Sequence, residues 1–342
     1  MSAWIVSSFA IACETGNSHD PNVMHRNAFA RGCIGACMKK IAIVTGANTG
    51  IGKETARGLA LAGVAVVLAV RDVSKGEAAR AEILRTTRAS ENDVIVRHLD
   101  LADTFSIRAF ARGFADEHDR LDILVDNAGV YTRSRSLTKD GFETTFGVNH
   151  LGTFLLTNEL LPLLERAAPS RVVVVSSALH YRGKMEWDDL HFDRRPYSGG
   201  AAYSQSKLAN VLFANALARR VATKGITVNS LHPGVVATEL LRETPVFFQK
   251  AFGLFLLSPA GGAKTSLHVA LSEEGEKTTG AYFDASKQKP ASSAARDQAA
   301  QDKLWALSEE LVRERARPRE ERERTTSRSI DFVHPRKAPH PA

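Results

Sequence analysis

Short apolar runs recur along the chain, separated by longer stretches of helix-forming, mostly polar composition. Ile41-Ala42-Ile43-Val44 is the first such run, and a helix-compatible stretch from Lys53 to Leu61 follows it. Val64 to Val70 is apolar throughout, as expected of a strand covered on both faces, and a helix is predicted from Ser74 to Arg88. Val94–Leu99 predicts a third strand, Thr104–His118 a third helix and Leu121–Val125 a fourth strand. A long helix is expected from about Phe142 to Ala167, then a fifth strand at Arg171–Val175. A helix at about Ala201–Thr223 and a sixth strand at Ile226–Leu231 complete the series. This alternation predicts an α/β fold: one parallel, doubly wound sheet with helices on both faces, and no internal boundary.

Residues 1–39 lack this periodicity and are expected to be a disordered leader, an over-long start or a faintly transit-like segment. The apolar stretch Ile5–Cys13 is short and is followed by Glu14, so it does not read as a membrane span. The organised domain is placed at 40–312. The Arg/Glu-rich and then Pro-rich tail, 313–342, is expected to run into disorder.

In such a sheet a ligand lies at the carboxyl ends of the strands, so the residues there matter most. The first strand ends in Thr45-Gly46-Ala47-Asn48-Thr49-Gly50-Ile51-Gly52. A strand, a glycine-rich turn and a helix suit a dinucleotide pyrophosphate, because the backbone can approach the phosphates and the helix start offers free N–H groups. The spacing is G-x3-G-x-G rather than the common G-x-G-x-x-G, and taken alone it also fits an ordinary turn. The later strands end in Val70-Arg71-Asp72, Asp100-Leu101, Asp126-Asn127-Ala128-Gly129, Ser176-Ser177 and His232-Pro233-Gly234. That concentration of hydroxyls, amides and carboxylates exceeds what turns alone require.

Charge narrows the field. The 342 residues carry a formal +7, with pI ≈ 9.4, which raises the question of nucleic acid. Residues 1–40 hold four cations against Glu14 and Asp20, and residues 313–342 hold nine cations against five acids. The domain between them is left at only +1, which argues against a nucleic-acid-binding surface. Cys13, Cys33 and Cys37 all precede the first strand. The domain therefore has no disulfide and no cysteine-ligated metal, no metal site is assigned, and a cytoplasmic, reducing location is expected.

Tyr203 and Lys207 stand four apart on a predicted helix and face the same way. A phenol ionises near pH 10, and an ammonium one turn away is expected to bring it toward useful acid/base range. Tyrosine and lysine at this spacing also occur on ordinary helices. Of the other tyrosines, Tyr131, Tyr181, Tyr197 and Tyr282 have Arg135, Met185, Ala201 and Ser286 four positions on, so Tyr203 alone has lysine there.

With these motifs in order, residues 40–312 resemble the short-chain dehydrogenase/reductases, whose sheet is Rossmann-like. Thr45–Gly52 matches the family's T-G-x3-G-x-G, and Asp126–Gly129 its N-N-A-G with aspartate in place of the first asparagine. Tyr203-x3-Lys207 matches Y-x-x-x-K, and Pro233–Thr238 a P-G-x-I-x-T-like segment. Arg71-Asp72, Gly147–Gly152, Ser204–Asn210, Tyr282-Phe283 and Lys303-Leu304-Trp305 resemble the retinol dehydrogenase branch. The resemblance implies that Tyr203 exchanges a proton with the carbonyl oxygen and that Ser177, rather than Ser176, hydrogen-bonds that oxygen. It implies that Lys207 lowers the Tyr203 pKa and binds the nicotinamide ribose, and that Asn149 holds a water linking Lys207 to solvent. Gly46, Asn48, Thr49, Gly50, Ile51 and Gly52 would cradle the cofactor. Asp100 and Leu101 would border the adenine, and Asn127 and Ala128 the adenosine ribose. Pro233, Gly234, Val236 and Thr238 would complete the cofactor site. Ser177 lies 26 positions before Tyr203, about twice the family's usual separation, but the retinol dehydrogenase branch resembles this chain in carrying an insertion there. Within it, His180 and His191 are candidates for substrate contact or for surface-loop roles.

Cofactor choice turns on the end of strand two, where arginine suits the 2′-phosphate of NADP and a carboxylate the 2′-OH of NAD. Arg71 occupies the position that NADP-dependent members keep basic, whereas Asp72 can cap the following helix. NADP(H) is the expected cofactor, with NAD(H) as the alternative. The apolar segments Leu240-Leu241, Val246–Phe248 and Phe252–Leu257 correspond to the family's substrate lid and suit a lipophilic, retinoid-like or long-chain carbonyl. The same segments leave open core packing, a homo-oligomer contact or peripheral contact with a membrane. The function implied is interconversion of a carbonyl and an alcohol on a small molecule. A non-catalytic dinucleotide-binding regulator is the alternative, disfavoured because a sensor needs no proton donor.

Overall fold

β1 (Ile41–Thr45) is buried along its whole length, and its alternate side chains enter two different cores. A computed structural model describes residues 39–234 and 257–314. Ala42 and Val44 pack on the face covered by α1 (Gly50–Leu61) and α2 (Val73–Thr86), whereas Ile43 packs on the opposite face. That second face is covered by α3 (Thr104–Glu117), α5 (Thr153–Arg166) and α6 (Gly199–Arg220). A strand covered on both faces has no polar side to show, which accounts for the unbroken apolar runs.

β2 (Ala65–Val70), β3 (Val94–His98), β4 (Ile123–Asp126), β5 (Ser170–Val175) and β6 (Ile226–His232) join β1 in a parallel sheet of order 3-2-1-4-5-6. β7 (Tyr282–Asp284) adds in parallel beside β6, and β8 (Lys287–Lys289) closes that edge antiparallel to β7. The sequence pattern predicts neither short edge strand as a strand; β8 is too exposed and too polar to announce itself. The sheet is thus doubly wound, as expected, with one antiparallel strand added. Its order reverses between β1 and β4, and the crevice of such a fold opens there, beyond the carboxyl ends of the strands.

The expected single helix over 142–167 is three pieces: α4 (Thr144–Phe146), a π-helical turn (Gly147–Gly152) and α5. Periodicity does not predict the π turn, which carries Asn149 and His150, both fully buried. The start of α6 shifts to Gly199, because the Ser198 hydroxyl accepts from the Ala201 amide and caps it there. Beyond residue 257 come α7 (Pro259–Leu271), α8 (Glu273–Lys277), α9 (Ser293–Arg296) and α10 (Gln298–Glu314). None of the described helices is long and apolar enough to cross a membrane.

The domain limits move slightly. Lys39, placed in the leader by the sequence, pairs with Asp93 at 2.7 Å, and α10 continues to Glu314, two residues past the expected end. The rest of the expected leader and tail lies outside the described residues.

α10 is tied back to the second face of the sheet. Trp305 packs edge-on to Phe154 (5.0 Å) and stacks on Phe213 (6.0 Å), and the Arg220 guanidinium lies 4.1 Å from its ring centre. Arg108 on α3 donates to the Val312 carbonyl, and Ser308 hydrogen-bonds His150 on the π turn. Trp305→Ala is expected to destabilise the fold by about 3 kcal/mol, the scale of a buried aromatic truncation. Denaturant unfolding checks this, and an unchanged midpoint would show that α10 adds no stability.

Candidate active site

At the reversal point the two diverging strands are laced together by Thr45. Its hydroxyl accepts from the amides of Asn127 and Ala128, both at 2.9 Å, and donates to the Val125 carbonyl at 3.4 Å. The Asn127 side-chain amide donates to the Thr45 carbonyl at 2.8 Å. The glycine turn sits directly on this junction. A Cβ at Gly52 would lie 2.4 Å from the Gly46 carbonyl oxygen and 2.5 Å from the Asn127 amide nitrogen, so only glycine fits. Gly46, Gly52 and Asn127 therefore meet in one place.

α1 begins differently from α2, α3, α6 and α7. Asp72, Asp103, Ser198 and Ser258 cap α2, α3, α6 and α7 with their side chains, whereas Thr49 before α1 is extended and makes no such bond. The first amides of α1 are thus left without a side-chain acceptor, beside Asn48, Gly50 and Ile51. A cradle too tight for a Cβ and an uncapped helix start fit the pyrophosphate of a dinucleotide.

Arg71, just after β2, is exposed and forms no ion pair among the described residues. Asp72 is committed elsewhere: it accepts from the Lys75 amide at 3.1 Å and pairs with the Lys75 ammonium at 3.5 Å. That backbone bond is also what lowers the Asp72 pKa most. Asp100 folds back to accept from the Ala102 amide at 3.0 Å, and Leu101 beside it is buried.

The two serines ending β5 have separate tasks. Ser176 is buried, and its hydroxyl donates to the Lys207 carbonyl at 2.7 Å, binding β5 to α6. Ser177 is half-buried, and its oxygen accepts from the Leu179 amide at 3.2 Å, so its own proton is not needed there. The sequence preferred Ser177 by resemblance alone; here it is the serine with a donor to offer. A 3₁₀ turn, Ala178–Arg182, follows it.

Tyr203 and Lys207 share one face of α6, with the ammonium 5.5 Å from the phenol ring centre. Their electrostatics depart from expectation. Burial pushes the Tyr203 phenol up to about 12, and Lys207 does not bring it down. The Lys207 ammonium instead donates to the Val175 carbonyl at 3.1 Å, and burial lowers its pKa to about 8. A phenol in this state holds its proton at neutral pH, and a lysine in this state can lose one there.

Asn149 adjoins the pair without bonding it. Its side-chain oxygen accepts from the Val130 amide at 2.7 Å, and its amide donates to the Val130 carbonyl and to Ser206, each at 3.0 Å. The position of a Cβ on Gly129 is 3.3 Å from the Lys207 nitrogen and 3.4 Å from the Asn149 oxygen, so the three groups share one small space. Tyr131 leans edge-on against Tyr203, with centroids 6.0 Å apart.

His180 and His191 are structural. His180 is fully buried: it receives the Ser292 amide on Nε2 at 3.2 Å, so its proton is on Nδ1 and is donated to the Ser177 carbonyl at 2.7 Å. Burial lowers its pKa, in keeping with that neutral tautomer. The Nδ1 of His191 accepts from the Glu143 amide, and its ring stacks on Phe142. The sequence places Thr45, Ser176 and Ser206 inside or beside its motifs without giving them a task, and offers His180 only for substrate contact or a surface loop; their bonding roles appear only in the structure. Pro233 and Gly234 follow β6 as expected, whereas Val236, Thr238 and most of the apolar stretch over 240–257 lie outside the described residues.

Comparison with known proteins agrees with this geometry. A family model described as short chain dehydrogenase matches residues 40–246. Human retinol dehydrogenase 12 is 50% identical over 275 residues, covering 80% of this chain and 86% of that protein. Human retinol dehydrogenase 14 is 41% identical over 310 residues, covering 86% and 88%. Among solved structures, an uncharacterised Mycobacterium paratuberculosis protein matches with a TM-score of 0.66 and 37% identity, covering 80% of this chain and 93% of that one. The Pseudomonas aeruginosa RhlG/NADP active-site complex matches with a TM-score of 0.59 and 26% identity, covering 72% and 94%.

Ser176→Ala should lower stability by about 1–3 kcal/mol, since it leaves the buried Lys207 carbonyl without that partner. Thermal melting checks this, and an unaltered midpoint would contradict the division of labour between the two serines.

Proposed function

The chain belongs to the short-chain dehydrogenase family, in its retinol dehydrogenase branch, and acts as an oxidoreductase on CH–OH groups with a dinucleotide; within that frame we propose an NADP(H)-dependent enzyme interconverting a lipophilic aldehyde or ketone with its alcohol. One observation carries the reading: a glycine turn too close-packed for a Cβ, leading into an uncapped helix, and a phenol beside a buried ammonium lie along the same carboxyl edge of the sheet. The two human relatives are named retinol dehydrogenases, and the apolar segment 240–257 supports a retinoid-like or long-chain substrate here.

Gly46 to Gly52 would hold the pyrophosphate, Asp100 and Leu101 the adenine, and Asn127 and Ala128 the adenosine ribose. Pro233, Gly234, Val236 and Thr238 would close the site beyond β6. Arg71 would meet the 2′-phosphate, which the commitment of Asp72 to capping α2 supports, as does the NADP complex among the structural relatives. When bound, the nicotinamide supplies or takes up the hydride.

Tyr203 would give its proton to the substrate oxygen during reduction and recover it during oxidation. Its raised pKa keeps that proton in place at neutral pH. Ser177 would donate its free O–H to the same oxygen, and His180 steadies Ser177 by its carbonyl. Lys207, with its lowered pKa, would restore the Tyr203 proton and bind the nicotinamide ribose. The Asn149 side chain gives both amide protons to Val130 and Ser206 and accepts from the Val130 amide, which leaves one lone pair on its oxygen; it would fix Val130 near Lys207 and hold a water linking Lys207 to solvent.

NADPH consumption against a panel of aldehydes and ketones, retinal and straight-chain aldehydes included, tests the reading. Tyr203→Phe should lower kcat/KM by about 100-fold or more while the protein remains folded; full activity would overturn the proton-donor role. Arg71→Ala should raise the KM for NADPH about tenfold and leave that for NADH little changed. An unaltered ratio of the two would count against Arg71 as the phosphate contact.

A further inference from the structure

Asp126, the last residue of β4, is not used by the mechanism above and is 2% exposed. It stands one residue before Asn127, at the root of the loop whose Gly129 faces Lys207, a Cβ there being placed 3.3 Å from the ammonium. Among the described residues its Oδ1 has no hydrogen-bond partner, and its Oδ2 lies 2.8 Å from the Thr157 hydroxyl, itself fully buried on α5. That hydroxyl also lies 2.9 Å from the Thr153 carbonyl one turn back.

The proton count decides what this arrangement is. A threonine hydroxyl has one proton and two lone pairs. The Thr153 carbonyl can only accept, so a Thr157 proton given to it leaves only lone pairs toward Asp126. Two oxygens at 2.8 Å then need a proton from the carboxyl. An ionised carboxylate here would have at most one shared donor for two oxygens, a costly state for a buried charge. We propose that Asp126 is a neutral carboxylic acid that donates to Thr157, and that losing this proton releases the Asn127–Val130 loop which positions Lys207. It acts as a positioning residue, the acid form standing in for the asparagine of the motif that this loop resembles.

The surroundings agree. Burial outweighs a Thr157 hydroxyl bond to the ionised form, which acts the other way, and leaves the carboxyl raised to about 7 with no contribution from a charged group. β1 has no titratable residue. Arg171 at the start of β5 is held by Glu276 and by the Val269 and Ser272 carbonyls. On α5, Glu159 pairs with Arg108, Glu165 with Lys224, and Arg166 with the Asp119 carbonyl. His150 on the π turn is kept neutral by burial, with its pKa lowered to about 3, and Lys207 on α6 donates to Val175. In the unfolded chain the carboxyl returns to its ordinary value of 3.8. The native state therefore holds the extra proton between that value and about 7, and stability falls as pH rises through the window.

Infrared spectra of the full chain, wild type against Asp126→Asn, test the protonation state without reference to activity. The carbonyl stretch of a protonated carboxylic acid should be present at pH 6, vanish by pH 9 and be missing from the variant at both. Its absence from the wild type at pH 6 would overturn the proposal. The second arm rests on the oxidoreductase reading: the kcat/KM of wild type divided by that of Asp126→Asn should be level below pH 6 and fall at least about tenfold by pH 9. A ratio flat from pH 6 to 9 would remove the positioning role. A protein with no turnover on any substrate would count against the functional reading and leave the infrared result standing.

Discussion

One threonine hydroxyl holds the site open. Thr45 uses its single proton on Val125 and both lone pairs on the amides of Asn127 and Ala128, so its bonding capacity is filled. β1 and β4 carry helices on opposite faces and diverge where they end, which leaves backbone groups there without strand partners. Thr45 supplies partners for three of them. With the junction fixed, Gly46 and Gly52 can pack against Asn127 closely enough to leave a cradle of bare backbone. The cofactor half of the crevice follows from that closeness.

The other half depends on burial. Withdrawal from water acts in opposite directions on two groups of α6, raising the phenol of Tyr203 to about 12 and lowering the ammonium of Lys207 to about 8. Each is pushed toward its uncharged form, so the pair costs the fold less than two ions would. The carbonyl of Val175 and the ring of Tyr203 lie within reach of the lysine, and its nearest neighbours are therefore dipoles rather than charges.

The sheet was legible because every central strand is covered on both faces and so must be apolar throughout. The glycine turn, Tyr203, Lys207 and the serine doublet were legible as motifs because they keep particular residues at fixed spacings. The π turn was not, since its helical periodicity continues through Gly147–Gly152, and neither were β7 and β8, too short to show a pattern. The sequence also predicted an ammonium next to a phenol and missed that the ammonium faces Val175. The bonding role of His180 was likewise beyond reach, because one of its partners, Ser292, lies 112 positions away.

The contacts of His180 bear on the order in which the site is completed during synthesis. Thr45, the glycine turn and Asn127 are joined by bonds closed within the first 128 residues, so the nucleotide cradle can form while the chain is still growing. The reactive side waits much longer. Ser292 must arrive to fix the His180 tautomer, and Ser308 to hold the π turn through His150. A nascent chain can thus close the glycine turn on Asn127 well before the surroundings of Ser177 and Asn149 are complete.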